Sequence, residues 1–251
     1  MSILTAYKSD FAFWTGFYND DDKDNSTDCF SWASNKAYLD MNRTMTFKDI
    51  PKNNTQKEKD RVDKERKELR DRGTEVIRDR FKEMNGSFET WHKDTCEKMM
   101  EIYKGELVLR EGGKRTDQQT NLTFGQAQKW LNMTLKYLWL LNRLGMIKDS
   151  SIADVITKHQ SEFHVPLDSY ILRYVAKQDK NKNDEFSSQD NALDCSTDFE
   201  RFWEAFGSAW SHIDDSDLYY QYQEELAKAI KKSTPLEWEL EHWHKAVKYY
   251  G

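Results

Sequence analysis

The sequence predicts an all-α protein: a multi-helix bundle around one buried central helix at about 124–144, with a long charged helical arm at 52–85. Three observations carry that expectation. Only three prolines and ten glycines punctuate 251 residues, too few turn-formers for a sandwich or a barrel. Apolar residues recur at helical intervals, and no run of strict alternation competes with them. Helix-start signals appear as capping boxes, at Thr123 with Gln126 and at Thr234 with Glu237. Charged residues at 33% and aromatics at 14% make an unusual pairing. Disordered chains are poor in aromatics, so this composition describes a folded chain with tryptophans as core anchors.

Taken in order, residues 1–18 set Phe11, Phe13, Trp14, Phe17 and Tyr18 close together and predict a short helix packed on the core. The acidic stretch NDDDKDNSTD, residues 19–28, lacks the carboxylate spacing of a calcium loop and reads as solvated loop. A short helix follows over 31–41, and Pro51 marks a break. In the arm, Asp60/Lys64, Asp63/Lys67 and Glu68/Arg72 stand at i,i+4, the spacing that supports an exposed helix. Val62, Leu69 and Val76 recur every seventh position as a narrow apolar seam, with Gly73 a candidate break.

Ser87 opens a further helix to about 104. Residues 105–121 read as a loop with a short extended piece at 107–109; its Gly-Gly-Lys-Arg lacks the spacing of a phosphate loop. The central helix has its capping box at Thr123 and a glycine, Gly145, where a C′ residue belongs. Phe124, Ala127, Leu131, Leu135 and Leu138 form one stripe, and Trp130, Tyr137, Trp139 and Leu141 make the helix apolar nearly all round, which predicts burial. A short helix at 152–160 precedes EFHVPLDSYILRYVAK, in which Pro166 and Asp168 open another helix. The polar stretch 178–197 is expected to link a main domain, 1–177, to a three-helix segment, 198–251, packed on the same domain. Within that segment, Thr197 with Glu200 starts a helix carrying Phe199, Phe202, Trp203, Phe206 and Trp210. A second runs over about 217–232, and a third begins at Thr234-Pro235.

A net charge of −6 and a pI of about 5.6 disfavour nucleic acid, whose binders usually present a net basic face. No apolar run is long enough to span a bilayer, and the first residues lack the pattern of a secretory signal. Cys29, Cys96 and Cys195 are odd in number and widely spaced, as suits reduced thiols. A cytoplasmic protein without membrane contact is therefore expected. His92 and Cys96 share a helix face but find no second pair to complete a zinc site. His242 and His244 point to different faces. His212 and Asp214 suggest the acid-rich site of a metal phosphohydrolase, without matching partner histidines. No metal or cofactor is expected.

Residues 122–177 carry one resemblance. Phe124-Gly125-Gln126-Ala127-Gln128-Lys129 and then Val165-Pro166-Leu167-Asp168, with Ile171 or Leu172 and Arg173, resemble the two signature elements of the helix-hairpin-helix DNA glycosylases. The resemblance implies Asp168 as catalytic carboxylate and Lys129 as the assisting lysine of the bifunctional members. It further implies binding roles for Gly125, His164 and Arg173. A carboxylate held ionised at a helix N-terminus could stabilise the cationic sugar left by base extrusion. First-turn preferences of proline and acids account for the same residues structurally. The leading functional expectation is therefore different: a protein acting through protein–protein contacts or self-association, with Val62, Leu69 and Val76 on the charged arm as its interface. Base excision at Asp168 is the alternative.

Overall fold

Helix α1, Cys29–Met41, begins where Asp28 Oδ1 accepts the backbone N–H groups of Phe30 and Ser31. The computed structural model describes residues 28–51, 55–111, 114–178, 198–207, 209–230 and 232–250. The expected N-terminal aromatic helix, the acidic loop apart from Asp28, Cys195 and the linker at 179–197 lie outside them. After a 3₁₀ turn at Asn42–Thr44 come α2, Gln56–Lys82, and α3, Phe88–Ile102. Strands β1, Leu107–Glu111, and β2, Lys114–Thr120, precede α4, Phe124–Arg143, and α5, Ser150–His159. Helix α6, Ser169–Gln178, and α7, Glu200–Ala205, are followed by a 3₁₀ turn at Trp210–His212, then α8, Ser216–Ala229, and α9, Pro235–Tyr250. The described chain is thus mostly helical, and none of its helices is long and apolar enough to cross a membrane.

Helix α4 is the buried element that the sequence predicts. Both halves of its capping box form, and Gly145 closes it at φ 69° with Met146 N–H on the Leu141 carbonyl. It packs most extensively on α1, and α3 and α5 also lie against it. Trp130, fully buried, is the pivot: its Nε1 donates to the Ser34 carbonyl at 3.0 Å, and its ring meets Tyr38 edge-on at 5.0 Å. Gly73 does not break α2. The helix needs a glycine there because a Cβ would overlap the Trp130 ring.

The seam of α2 faces its own chain instead of a partner. Val62 is 1% exposed, and Leu69 and Val76 pack against the core. Arg66 secures this half of the helix: its Nη2 donates to the Asp49 carbonyl at 3.1 Å and its guanidinium lies 4.9 Å over the Phe47 ring. The fold also contains a hairpin where a loop is expected. β1 and β2 pair antiparallel with a bulge between Val108 and Arg110, and the 46–48 segment lies along the other edge of β1, through Val108 N to Thr46 O at 2.8 Å and Lys48 N to Glu106 O at 2.9 Å. Leu107 and Val108 are the residues of this ribbon that are buried among those described, too short a pattern to read by alternation.

In the C-terminal segment the expected first helix is interrupted. α7 ends at Ala205 and Gly207 takes φ 59°, so Trp210 reaches the core from the 3₁₀ turn. Asp198 Oδ1 accepts from Glu200 N and Arg201 N, and Thr197, the expected cap, lies outside the described residues. The capping box of α9 forms as predicted, through Thr234 and Glu237.

Candidate functional site

Asp168 and Lys129 do meet. Helix α4 carries Lys129 near its first turn, and the extended entry His164-Val165-Pro166 delivers Asp168 to the start of α6, where Asp168 Oδ1 caps the helix through Ile171 N at 2.8 Å. Asp168 Oδ2 accepts from Trp243 Nε1 at 2.9 Å and lies 3.7 Å from Lys129 Nζ. Trp210 lies against Lys129, its ring centre 5.8 Å from Nζ. Both side chains are largely buried, 7% exposed for Lys129 and 17% for Asp168. Burial lowers the Lys129 pKa, and the neighbouring Asp168 and Glu239 charges oppose that shift.

The same stripe of α4 repeats the arrangement twice. Lys136 pairs with Glu239 at 2.5 Å, nearly dry, and Arg143 pairs with Glu237 at 3.2 Å nearer the surface. Lys129, Lys136 and Arg143 stand seven residues apart, so they lie in one row along the helix. As the row advances, the α9 residues at each rung run backwards, from Trp243, which reaches Lys129 only through Asp168, to Glu239 to Glu237, so α9 lies antiparallel to it. The pair at Asp168 is one rung of a ladder that fastens α6 and α9 to α4. Gly125 is placed by packing too: its N–H donates to the Ile213 carbonyl at 2.7 Å, and a Cβ would overlap the Trp210 carbonyl. Arg173 lies 5.6 Å from the Trp203 ring.

His164 belongs to a second buried cluster, with His92, Asn132, Tyr219 and Tyr220. Gln128 Nε2 donates to the Gly125 carbonyl, which turns Gln128 Oε1 toward Asn132 Nδ2. Asn132 Oδ1 then accepts from His92 Nε2 at 3.0 Å, so His92 Nδ1 accepts the Tyr220 hydroxyl at 2.7 Å. Tyr219 Oη receives Asn132 Nδ2 and Gln223 Nε2, which leaves its proton for His164 Nδ1 at 3.0 Å. Gln223 closes the network on both backbone groups of Val165. Both histidines are thereby neutral. Burial pushes the His92 pKa down to about 4, and burial with the adjacent His92 pushes His164 well below its ordinary value. Cys96, fully buried with its pKa raised by burial, is no reactive thiol.

Among the described residues no three ligand-type side chains gather as for a metal. His212 and Asp214 are both exposed, and His242 stacks on Trp238 while His244 faces solvent.

A groove between α1, α2 and the hairpin is a third locus, and the sequence reading missed it. Arg66, Lys67 and Arg70 come from α2, and Arg110 and Arg115 from the two strands; Asp63 is the one acidic residue lining it. Arg110 and Arg115 stand directly opposite each other in the ladder. Arg115 also donates to the Lys48 carbonyl, and Arg70 and Lys67 share Asp71. The rim is apolar: Leu39 is 58% exposed and Ile50 53%. Arg66 and Arg70, at i,i+4, were the available signal, but a helix read for oppositely charged pairs hides a like-charged one.

Comparison with protein-family models, with curated proteins and with solved structures finds no match to this chain.

Proposed function

We propose that the protein acts through contacts with another protein, and that the basic groove is its contact face. One observation carries this reading: five cations and two exposed aliphatic side chains converge on a single concave surface of a chain whose net charge is −6. Exposed apolar side chains beside concentrated like charge are features of binding faces. The α2 seam is turned into the core, and Arg66, Lys67 and Arg70 flank it on the side of the helix that lines the groove. The test is a selection of displayed random peptides on the protein, with counter-selection on Arg110→Glu/Arg115→Glu. Sequences retained by the first and lost by the second are expected; a selection that returns none sinks the reading.

Base excision is a second reading, favoured by the 3.7 Å approach of Lys129 to Asp168. It requires Trp243 to leave the Asp168 carboxylate so that a sugar can reach it, since both oxygens are occupied. Incubation with duplexes holding a damaged base or an abasic site, followed by borohydride trapping, decides it. A trapped adduct lost in Lys129→Gln would make catalysis the leading reading, and no strand cleavage would remove it.

A further inference from the structure

We propose that the buried pair His92 and His164 is an acid-operated latch: proton uptake by these rings releases α8 from α3 and α4 while the helices around Trp130 stay packed. The latch is independent of the groove and needs no partner.

One oxygen carries the argument. Tyr219 Oη accepts from Asn132 Nδ2 at 2.8 Å and from Gln223 Nε2 at 3.2 Å, and gives its own proton to His164 Nδ1 at 3.0 Å. A phenolic oxygen has one proton to give, and two incoming donors already occupy this one. A proton on His164 Nδ1 therefore brings a third donor to a filled oxygen and strands the proton of the tyrosine. At His92 the same event turns Nδ1 from acceptor to donor against the Tyr220 hydroxyl, 2.7 Å away. The two rings lie 4.8 Å apart, so a charge on either opposes a charge on the other.

The surroundings offer little to offset such charge. Helix α3 presents Phe88 and Cys96, with Glu89 and Glu97 exposed beyond them and Lys93 paired to Asp217. Helix α4 presents Asn132 and Phe124, and α8 presents Tyr219 and Tyr220. On the segment that carries His164, Glu162 is taken up by His159 at 2.6 Å. Among the described residues no carboxylate pairs with either imidazole.

Release is local because α8 is bonded to α3, α4 and the segment before α6 through this network. Tyr220 reaches His92, Tyr219 reaches Asn132 and His164, and Gln223 holds both backbone groups of Val165. The Lys93–Asp217 pair at 3.2 Å is exposed and contributes little. Tyr222 seats α8 separately on Phe199, Phe202 and Phe206, and Trp130 is held from α1 by Ser34 and Tyr38. Once opened, both rings titrate at about 6.5. Below that pH each histidine raises the opening constant by up to about tenfold per unit, and the pair by up to about a hundredfold. The rise ends where the closed form takes up the proton itself, about pH 4 for His92.

Cys96 reports the opening, since it is fully buried with Sγ 3.9 Å from His92 Nδ1. In the whole chain carrying Cys29→Ser/Cys195→Ser, labelling of Cys96 by 4,4′-dithiodipyridine is followed from pH 7 to 4.5 against a free thiol peptide, with far-ultraviolet circular dichroism alongside. Protection of Cys96 is expected to fall well over tenfold per unit below about pH 6.5 while the helical signal holds. His164→Gln and His92→Gln should each bring that slope to about tenfold or less. A slope of tenfold or less in the parent chain overturns the inference, and that slope decides alone if a variant does not fold. Loss of protection only where the helical signal is lost also overturns it, because the whole fold then opens at once. So does a steep slope that survives both substitutions.

Discussion

Two regions of this molecule are rich in polar side chains, and they differ in what satisfies them. Inside, His92, Asn132, Tyr219 and Gln223 close a network anchored on the backbone of Gly125 and Val165, and three cations of α4 each find an acid on α6 or α9. At the groove, arginines face one another across a ribbon beside exposed aliphatic side chains. In the first region His92 and His164 have partners within the fold, so their shifted pKa values report burial. In the second, cations of α2 and the hairpin collect beside two aliphatic side chains that remain exposed. The lesson is that a catalytic-looking pair such as Lys129 and Asp168 can be a structural rung, so its proximity alone says little about function.

That contrast can be broken by measuring stability and binding separately. The largest expected effect is at the driest rung of the ladder. Glu239→Gln leaves Lys136 buried without its counter-charge and should cost about 4 kcal/mol in urea unfolding. Lys136→Met in the same chain should restore most of that loss, and if it does not, the ladder account of these pairs is wrong. Asn132→Leu strands the partners of its amide at once, and a loss of about 3 kcal/mol is expected by the same measurement.

Acid should act on the same interior. His92 binds its proton at about pH 4 in the folded chain, against about 6.5 when unfolded, so its contribution is complete above 6.5 and is lost as the pH falls toward 4. The shift corresponds to about 3 kcal/mol across that window, and His164 acts in the same direction. A chain carrying His92→Gln should show a flatter stability profile between those pH values; an unchanged slope would mean that other groups dominate.

Smaller effects follow outward. Gly73→Ala pushes a methyl group into Trp130 and should cost about 2 kcal/mol, with a change in tryptophan fluorescence. Least of all, Arg110→Glu should leave unfolding free energy within about 0.5 kcal/mol while weakening partner binding. A large stability loss there would assign the hairpin arginines to the fold and remove the contrast between the two regions.

Much of this fold is legible from sequence because its signals are local. The capping boxes at Thr123 and Thr234, the C′ glycine at 145 and the apolar periodicity of α4 each act within a few residues. The hairpin is not legible in that way: β2 is almost wholly polar, and β1 is held partly by the distant segment 46–48. Gly73 reads locally as a breaker and the α2 seam as an interface, but neighbours far along the chain give them other uses, Trp130 for the glycine and the core for Leu69 and Val76. Of the candidate sites, the sequence brought Lys129 and Asp168 to attention, and the seven-residue spacing of Lys129, Lys136 and Arg143 was there to be read as a ladder.

Where helices start, stop and turn an apolar face follows from the order of residues, because hydrogen-bond caps and side-chain spacing act over one or two turns. Which charges come together is a property of the folded chain. Arg66 and Arg115 come from segments nearly fifty residues apart, and the acids of the ladder lie far along the chain from the cations they meet. Electrostatic pairing depends on distance in space and on burial, and neither is written in the order of residues.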